Sequence, residues 1–223
     1  MYDRIIKLIG EEDFEKIRNA KILLVGVGGV GSFAYEALIR SGFQNITIID
    51  KDKVEITNLN RQLVATLNTI GMIKVDIAKD KAFNINENIK IKAIEEFLDK
   101  NNINTLDKDY DYIIDACDTL NTKLELIRFA NENNIKIIAS MGVGNRIDAS
   151  LIKVKRLDKT NSDPLAKRLR KLVKDNNLNS KVPVVYSEEL PYKKGEVNSM
   201  ITSPGIAGLL MVNYIINDII KPY

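Results

Sequence analysis

A glycine-rich turn between two apolar runs constrains the fold of this chain more than any other feature. An apolar run at 22–25 is followed by the motif GVGGVG at 26–31, a helix-patterned segment, and a second apolar run that ends at Asp50. This order predicts a strand, a glycine turn, a helix and a strand, with an acid about 20 residues past the glycines. Glycines allow a tight turn and a close approach to a phosphate, and the helix N-terminus supplies N–H donors. The glycines predicted to face a phosphate are Gly26, Gly28, Gly29 and Gly31.

Asp50 and the residues that follow it indicate which nucleotide this turn binds. At the carboxyl end of the second strand, Asp50 is placed to accept hydrogen bonds from ribose hydroxyls. Arg61 and Lys74 come next, and two cations suffice for a triphosphate, whereas a dinucleotide has only a diphosphate to hold. A strand pattern at 112–118 ends in Asp118, where a Mg²⁺ ion held by phosphates could sit. Together these residues favour ATP over a dinucleotide.

Four segments of the chain, GVGGVGS, IIDKDKVEITNLNRQ, GMIK and DACDT, resemble the adenylating family of ThiF, MoeB and ubiquitin-activating enzymes. Members of that family bind ATP on a Rossmann-like fold, adenylate a carboxylate and release pyrophosphate. The resemblance implies that Arg61, Lys74 and Asp118 are the catalytic residues, with Asp118 as the magnesium ligand. It also implies that Gly29 lies along the phosphates. The further ATP contacts implied by the motifs are Asp50, Asp52, Asn58, Gln62 and Thr119.

Plain structural roles remain open for the same side chains. Asp50 and Asp52 could merely end a strand and begin a turn, and Asp118 could cap the next helix. Arg61 could pair with surface acids, and Lys74 could lie on a solvated helix face.

The N-terminal segment YDRIIKLIG resembles the opening helix of the same family. In the family, the arginine of this helix reaches into the ATP site of the partner subunit. The resemblance therefore implies that Arg4 contacts ATP in the partner and that the enzyme is a homodimer.

The second half of the chain narrows the resemblance to one branch. DPLAKRLRKLVK, VVYSEELPY and NSMITSPGIAGLLMVNYIINDI are similar to the branch that acts on threonylcarbamoyladenosine in tRNA. That branch adenylates the threonine carboxylate of the modified nucleoside and then closes a ring within the substrate, with loss of AMP. The resemblance implies tRNA as partner, and a sulfur-transfer or activating partner protein stays open. Two alternatives are an adenylyltransferase for the C-terminal glycine of a sulfur-carrier protein and, less favoured, an NAD-binding oxidoreductase.

Alternating apolar runs and amphipathic segments predict an α/β, Rossmann-like fold. The sheet is expected to be mostly parallel with helices on both faces, followed by antiparallel strands and a C-terminal helix. We predict one adenylating domain over 1–223, with an ATP-binding part at 1–145 and a substrate or dimer part at 146–223. The closing helix is predicted at about 204–220, is shorter than a membrane span, and is expected to pack on the sheet or across a dimer.

Composition limits the chemistry and the compartment. The chain has no histidine, so catalysis must rest on carboxylates, lysines, arginines and bound metal. It has one cysteine, Cys117, which lies between Asp115 and Asp118 in a strand pattern and is predicted to be a buried small side chain rather than a thioester nucleophile. The charged start lacks a long apolar core, which predicts no signal peptide and a cytoplasmic enzyme without a membrane segment.

A basic run at 167–174 has two interpretations. Its apolar stripe, Leu165, Leu169, Leu172 and Val173, predicts a helix whose cations face solvent. With Lys153, Lys155 and Arg156 nearby, contact with the phosphate backbone of tRNA is favoured. A place at the dimer interface is the alternative.

Overall fold

The structure is a computed structural model and describes residues 1–192 and 195–221. Seven strands and seven α-helices occur in these residues, with short 3-10 turns between them. The strands are β1 (Lys21–Val25), β2 (Asn45–Ile49), β3 (Lys90–Ile94), β4 (Tyr112–Asp115), β5 (Lys136–Ser140), β6 (Ile152–Arg156) and β7 (Pro183–Ser187). The helices are α1 (Asp3–Ile9), α2 (Glu11–Asn19), α3 (Gly31–Ser41), α4 (Lys74–Ile85), α5 (Leu120–Glu132), α6 (Pro164–Asp175) and α7 (Thr202–Ile220).

All seven of these strands form one sheet, in the order β3-β2-β1-β4-β5-β7-β6. Every neighbouring pair is parallel except β6 and β7, which are antiparallel. The predicted α/β, mostly parallel fold is therefore confirmed. Of the two strands in the second half, only β6 runs against the rest, because β7 is itself parallel to β5.

Alternation along β1 shows how the apolar runs create two cores. Ile22 and Leu24 point into the core beneath α3, α4 and α7, whereas Leu23 and Val25 point into the core beneath α5 and α6. Successive side chains of a strand leave opposite faces of the sheet, so a strand covered on both faces must be apolar at every position. This explains why the run at 22–25 is continuous.

Two glycines of the turn are required by close packing rather than by flexibility alone. Gly26 has φ +92, and a Cβ on it would lie 2.8 Å from the carbonyl oxygen of Ala116. A Cβ on Gly31 would lie 1.8 Å from the carbonyl oxygen of Gly26. These contacts seat the first turn of α3 against β1, and they join the turns that follow β1 and β4.

Several boundaries differ from those that the sequence pattern predicts. The pattern predicts a helix from residue 71, but α4 begins at Lys74, because Gly71 has φ +83 and ends a turn. It predicts a strand over 89–97, whereas β3 ends at Ile94, and it predicts a short helix over 101–106, where the structure has a 3-10 turn, Ile103–Thr105. The polar loop that it predicts after β7 includes residues 193–194, which lie outside the described residues.

The last helix, α7, is longer than the sequence pattern indicated. It spans 19 residues and, among the helices described, is the one whose length and composition would allow it to cross a membrane. Its length therefore does not exclude a membrane span, contrary to the prediction. It packs against α3, α2 and the sheet, with Met211, Val212 and Ile215 buried in the core. The expectation that it packs on the sheet is met.

Candidate active site

A cavity of about 920 Å³ opens at the carboxyl ends of β1, β2, β4 and β5. Strand order reverses between β1 and β4, and open α/β sheets bind ligands in the crevice at such a switch point. Most of the residues predicted to contact ATP line this cavity. They are Gly26, Gly28, Gly29, Asp50, Asp52, Asn58, Arg61, Gln62, Lys74, Asp118 and Thr119.

Two predicted residues lie elsewhere. Gly31 does not line the cavity, because it is buried against the carbonyl of Gly26 and serves the packing of α3. Arg4 lies on the exposed surface of α1, away from the cavity of its own chain. That position leaves contact in a partner subunit as its predicted role.

Asp50 ties the glycine turn to the end of β2. Its Oδ2 accepts a hydrogen bond from the backbone N–H of Val27 at 2.6 Å, and its Oδ1 accepts one from the N–H of Asp52 at 2.8 Å. The turn-forming role is thus real, but a carboxylate oxygen can accept more than one hydrogen bond. Asp50 therefore retains acceptor capacity toward the cavity.

Lys74 is the first residue of α4 and is almost completely buried, with 4% of its surface exposed. Its Nζ lies 3.1 Å from Oδ2 of Asp52, whose side chain is about half exposed. The alternative of a solvated helix face is excluded by this burial. Lys74 is an ammonium held at the cavity wall by a carboxylate that water can reach.

The loop after β2 places three polar side chains on the same wall. Asn58 caps a 3-10 turn, because its Oδ1 accepts the N–H of Glu55. Arg61 donates to the carbonyl of Thr57 and to Oδ1 of Asn60 through Nη1, and it pairs with no acid among the described residues. Gln62 is buried, and its Oε1 has no hydrogen-bond partner there. A buried acceptor without a donor is costly unless a ligand or water supplies one.

Asp118 offers a carboxylate at the opposite wall. It is exposed to the cavity, and its one recorded donor is the hydroxyl of Thr119, at 3.3 Å. The N-cap of α5 is Thr119, so the capping alternative for Asp118 does not hold. No group of three or more metal-binding side chains occurs in the described residues. Mg²⁺ typically uses one or two carboxylates together with substrate phosphates, so this single carboxylate fits that mode of binding.

A buried ion pair that the sequence analysis missed lies beneath the cavity. Lys123 and Asp115 are both fully buried, 3.0 Å apart, and Lys123 also donates to the carbonyl of Ser140 at 2.7 Å. The Sγ and backbone N–H of Cys117 donate to the same oxygen, Oδ1 of Asp115. Burial opposes the charge on Lys123, but the Asp115 carboxylate raises its pKa above the ordinary value. Asp118 lies in the turn that follows β4. Through the hydrogen bonds of Asp115 and Lys123, the pair connects this turn to Ser140 at the end of β5.

A signal for this pair was present in the sequence. Lys123 shares a helix face with Leu126, Ile127 and Ala130, which are all buried. A lysine in that stripe must have an acidic partner inside the protein, because a buried charge is stable only when paired.

Burial raises the pKa of the Cys117 thiol, and the neighbouring Asp115 carboxylate raises it further. The thiol is therefore protonated at neutral pH and is a poor nucleophile. This agrees with the prediction that Cys117 is not a thioester nucleophile. The predicted complete burial is wrong, because the side chain is only partly buried and lines the cavity.

The cavity also has an apolar end that the sequence analysis did not identify. Phe97 and Leu98 follow β3 and line the cavity, and Lys51 Nζ lies 4.7 Å from the centre of the Phe97 ring. Thr122 of α5 lies beside them and donates its hydroxyl to the carbonyl of Leu98. An aromatic ring and a leucine on one wall suit a flat, apolar ligand group such as a purine.

Helix α6 begins in the cavity wall. Asp163, Pro164 and Leu165 line the cavity, and Asp163 caps the helix by accepting the N–H of Ala166. The other oxygen of Asp163 accepts the N–H of Gly142, at 2.8 Å. The buried stripe is Ala166, Leu169 and Val173, while Leu165 turns toward the cavity.

The exposed face of α6 carries the predicted cations. A second concavity of about 650 Å³ is lined by Lys167, Arg170, Lys171 and Lys174, with Asp158 at its side. Arg170 donates to the carbonyl and the hydroxyl of Thr160, so it has a structural role. The three lysines make no ion pair within the described part of the chain.

The cations of β6 contribute less positive charge than the sequence indicated. Lys153 and Lys155 both bind Glu188, and these hydrogen bonds lower its pKa to about 2. Arg156 binds Asp158. The positive surface is therefore that of α6 itself.

The sequence profile of the ThiF family matches residues 2–222, and the chain belongs to that family. It is similar to the tRNA threonylcarbamoyladenosine dehydratase of Bacillus subtilis, with 35% identity over 96% of this chain and 92% of that protein. The structure of Escherichia coli tRNA threonylcarbamoyladenosine dehydratase with ATP matches with a TM-score of 0.92 and 32% identity, over 98% of this chain and 93% of that chain. The structure of the same E. coli enzyme with AMP matches with a TM-score of 0.90 and 33% identity, over 96% of this chain and 91% of that chain. These findings confirm the predicted resemblance.

Proposed function

We propose that this chain is an ATP-dependent tRNA threonylcarbamoyladenosine dehydratase. It adenylates the threonine carboxylate of threonylcarbamoyladenosine in tRNA, and the activated substrate then closes into a ring with release of AMP. One observation carries the proposal: a single cavity combines Arg61 and Lys74 with the first residues of α6, a helix whose exposed face is basic. The similar enzymes of B. subtilis and E. coli match nearly the whole chain and bear this name.

In the proposed reaction, an oxygen of the substrate carboxylate attacks the α-phosphorus of ATP. The bond between the α-phosphorus and the bridging oxygen breaks, and pyrophosphate leaves. Asp50 holds the ribose, Gly28 and Gly29 allow the chain to approach the phosphates, and Phe97 with Leu98 receives the adenine. Arg61 and Lys74 neutralise charge that develops on the phosphates, and such preorganised charge is often the largest catalytic contribution. Asn58, Gln62, Asp52 and Thr119 complete the cavity wall.

Lys74 has a specific part in this proposal. In the structure its partner is Asp52, which is half exposed and can turn to solvent. An arriving phosphate replaces that carboxylate with a stronger anion, so ATP binding leaves no buried charge unpaired. Asp118 is the proposed Mg²⁺ ligand, and the ion would add positive charge at the leaving pyrophosphate.

The second half-reaction needs no nucleophile from the enzyme. The attacking atom lies within the substrate, and an intramolecular attack has a large proximity advantage. The absence of an enzyme nucleophile agrees with the composition, because the chain has no histidine and the thiol of its one cysteine is protonated and donates a hydrogen bond to Asp115.

Substitution of Cys117 by serine tests that point. The hydroxyl can donate to Oδ1 of Asp115 as the thiol does, so Cys117→Ser is expected to keep most of the dehydratase activity. Mass spectrometry of the reacting enzyme should detect no thioester. An inactive Cys117→Ser protein that still folds and binds ATP would point to the ubiquitin-type or sulfur-transfer branches instead.

A homodimer in which Arg4 reaches the ATP site of the partner is part of the proposal. Its support is the exposed position of Arg4 on α1, outside its own cavity, together with the family resemblance. Mixing Arg4→Ala subunits with Lys74→Ala subunits should restore one functional site per mixed dimer. A cytoplasmic location likewise stays a prediction.

Pyrophosphate release is the direct test of function. Purified protein with ATP and Mg²⁺ should release pyrophosphate when tRNA bearing threonylcarbamoyladenosine is added, and the nucleoside should lose one water. Pyrophosphate release with a sulfur-carrier protein, but not with the modified tRNA, would support an adenylyltransferase for the C-terminal glycine of such a carrier. Tighter binding of NAD than of ATP, without pyrophosphate release, would support the oxidoreductase.

The lysines of α6 give a salt-dependent prediction. Replacing Lys167, Lys171 and Lys174 with glutamine should weaken tRNA binding and leave ATP affinity unchanged, because these residues line the second concavity and not the first. If each binds a phosphate, the slope of log affinity against log salt should fall by roughly 2 to 3. The measurement is tRNA binding by filter retention between low and moderate salt.

A matched variant controls for the change in net charge. Lys79, Lys90 and Lys108 are exposed, lie away from both cavities, and have no ion-pair partner among the described residues. Their triple glutamine variant should bind tRNA almost as the wild type does. Equal losses in the two variants would mean that α6 is not a tRNA surface and would favour the dimer-interface interpretation.

A further inference from the structure

Described residues between β7 and α7 form part of the cavity rim. Pro191, Val197 and Ser199 from this segment line the cavity. Between them, Tyr192 projects its side chain outward with 67% of its surface exposed. Among the described residues it is the most exposed aromatic side chain, since Phe83 and Phe97 reach only 41%.

The backbone of Tyr192 is fixed although its ring is exposed. Its N–H donates to the carbonyl of Asn145 at 2.8 Å, and Asn145 itself lines the cavity. Asn145 also bonds twice with Asn198, through N–H to carbonyl at 2.7 Å and through Oδ1 from the Asn198 N–H at 2.8 Å. The ring of Pro191, the residue before Tyr192, fixes its own φ and so restricts the backbone that leads to Tyr192. The ring is thus presented from an anchored position at the rim.

No intramolecular function accounts for this ring. Its hydroxyl has no hydrogen bond, and its ring no aromatic partner, in the described part of the chain. Leu190, two residues earlier, is also 71% exposed. Two large apolar side chains are therefore exposed within three residues of the chain, next to residues that line the cavity.

We propose that Tyr192 is a stacking platform for the nucleobase next to the modified adenosine of the RNA substrate. This inference rests on the proposed function. When the modified nucleoside occupies the cavity, the adjoining nucleotides leave through the rim. Unstacked bases of single-stranded RNA loops are commonly received on aromatic rings.

Charge on the same rim favours RNA over a second copy of the protein as the partner. The first residues of α6 line the cavity, and Lys167, Lys171 and Lys174, which have no ion-pair partner among residues 1–192 and 195–221, continue from them along the helix. A phosphate backbone passing over these lysines would carry its bases toward the rim. Aromatic rings beside a basic track are the usual composition of a single-strand binding surface.

Substitutions of Tyr192 separate stacking from charge. Tyr192→Ala should weaken binding of tRNA bearing threonylcarbamoyladenosine by roughly 5- to 100-fold, the usual effect of removing one stacked aromatic. Tyr192→Phe should bind as the wild type does, because it keeps the ring. The loss in Tyr192→Ala should be similar at low and moderate salt, unlike that of the α6 lysine variant. ATP affinity should not change.

A fluorescent variant reports stacking directly, because the chain contains no tryptophan. Tyr192→Trp should retain affinity, and its emission should be quenched when the modified tRNA binds. Phe83, on α4 and half exposed, supplies the controls. Phe83→Trp should show no quenching beyond that caused by absorbance, and Phe83→Ala should bind tRNA normally.

The outcomes distinguish this inference from the proposed function. Wild-type protein that cyclises the modified nucleoside, together with unchanged tRNA binding by Tyr192→Ala and unquenched Tyr192→Trp, overturns the stacking role alone. A Tyr192→Ala protein that sediments as a monomer, yet binds tRNA normally, shows that a second copy covers the ring and also overturns it. Wild-type protein that neither binds nor converts modified tRNA overturns both.

Discussion

Replacing Arg61 or Lys74 with alanine is expected to lower kcat/KM for ATP at least about 100-fold while the protein stays folded. A hydrogen bond to a charged group is worth about 1.5–3 kcal/mol, and contacts made in the transition state add to this. Loss of Lys74 leaves behind only Asp52, which is half exposed and can be solvated. Pyrophosphate release at varied ATP, with circular dichroism as the check on folding, measures the effect.

Lys79, also on α4, is the matched control for Lys74. It is exposed and does not line the cavity, so Lys79→Ala should have wild-type kinetics. Full activity of both Arg61→Ala and Lys74→Ala at saturating ATP would show that the adenylation proposal is wrong.

Replacing Lys123 with methionine is expected to lower the free energy of unfolding by about 3–5 kcal/mol, because it leaves a buried carboxylate without its partner. Asp115 already has one oxygen, Oδ2, that no group in the described residues satisfies. The double variant Asp115→Asn/Lys123→Met removes the unpaired charge and should recover part of the loss. Urea unfolding of the wild type and both variants gives the comparison.

An exposed ion pair provides the reference. Lys92 lies 2.9 Å from Asp107, with 58% and 54% of the two side chains exposed. Its substitution by methionine should cost no more than about 1 kcal/mol, the usual range for pairs that water can reach. Equal losses for Lys92→Met and Lys123→Met would contradict the argument from burial.

Local patterns predicted the fold and much of the cavity wall, for a physical reason. Strands with both faces buried leave continuous apolar runs, and the carboxyl ends of parallel strands meet at one edge of the sheet. Asp50, Arg61, Lys74 and Asp118 follow such ends or the loops between them, so their convergence could be expected before the structure was known. Their roles toward ATP stay predictions.

Features that depend on pairing between distant segments could not be predicted in the same way. Lys153 lies on β6, and the residue that neutralises it, Glu188, comes directly after the antiparallel strand β7. Nothing in the sequence near Lys153 indicates this pairing. Likewise, the anchoring of Tyr192 depends on Asn145, which follows a different strand. Lys123 lies between these two cases. Helical periodicity indicates that it is buried, but the sequence does not indicate that Asp115 is the acid that pairs with it.

The order of the sheet determines how the enzyme can adapt to its substrate. β7 lies between β5 and β6, so both halves of the chain share one hydrogen-bonded sheet, and α7 packs back on α3. Hinged closure of one half over the other would break backbone hydrogen bonds along β5 and β7. An RNA substrate therefore meets a sheet that does not hinge between its two halves, and adjustment around the reacting carboxylate falls to side chains such as Asp52. Selectivity in such an enzyme comes from the shape of a preformed cavity rather than from domain closure on the correct ligand.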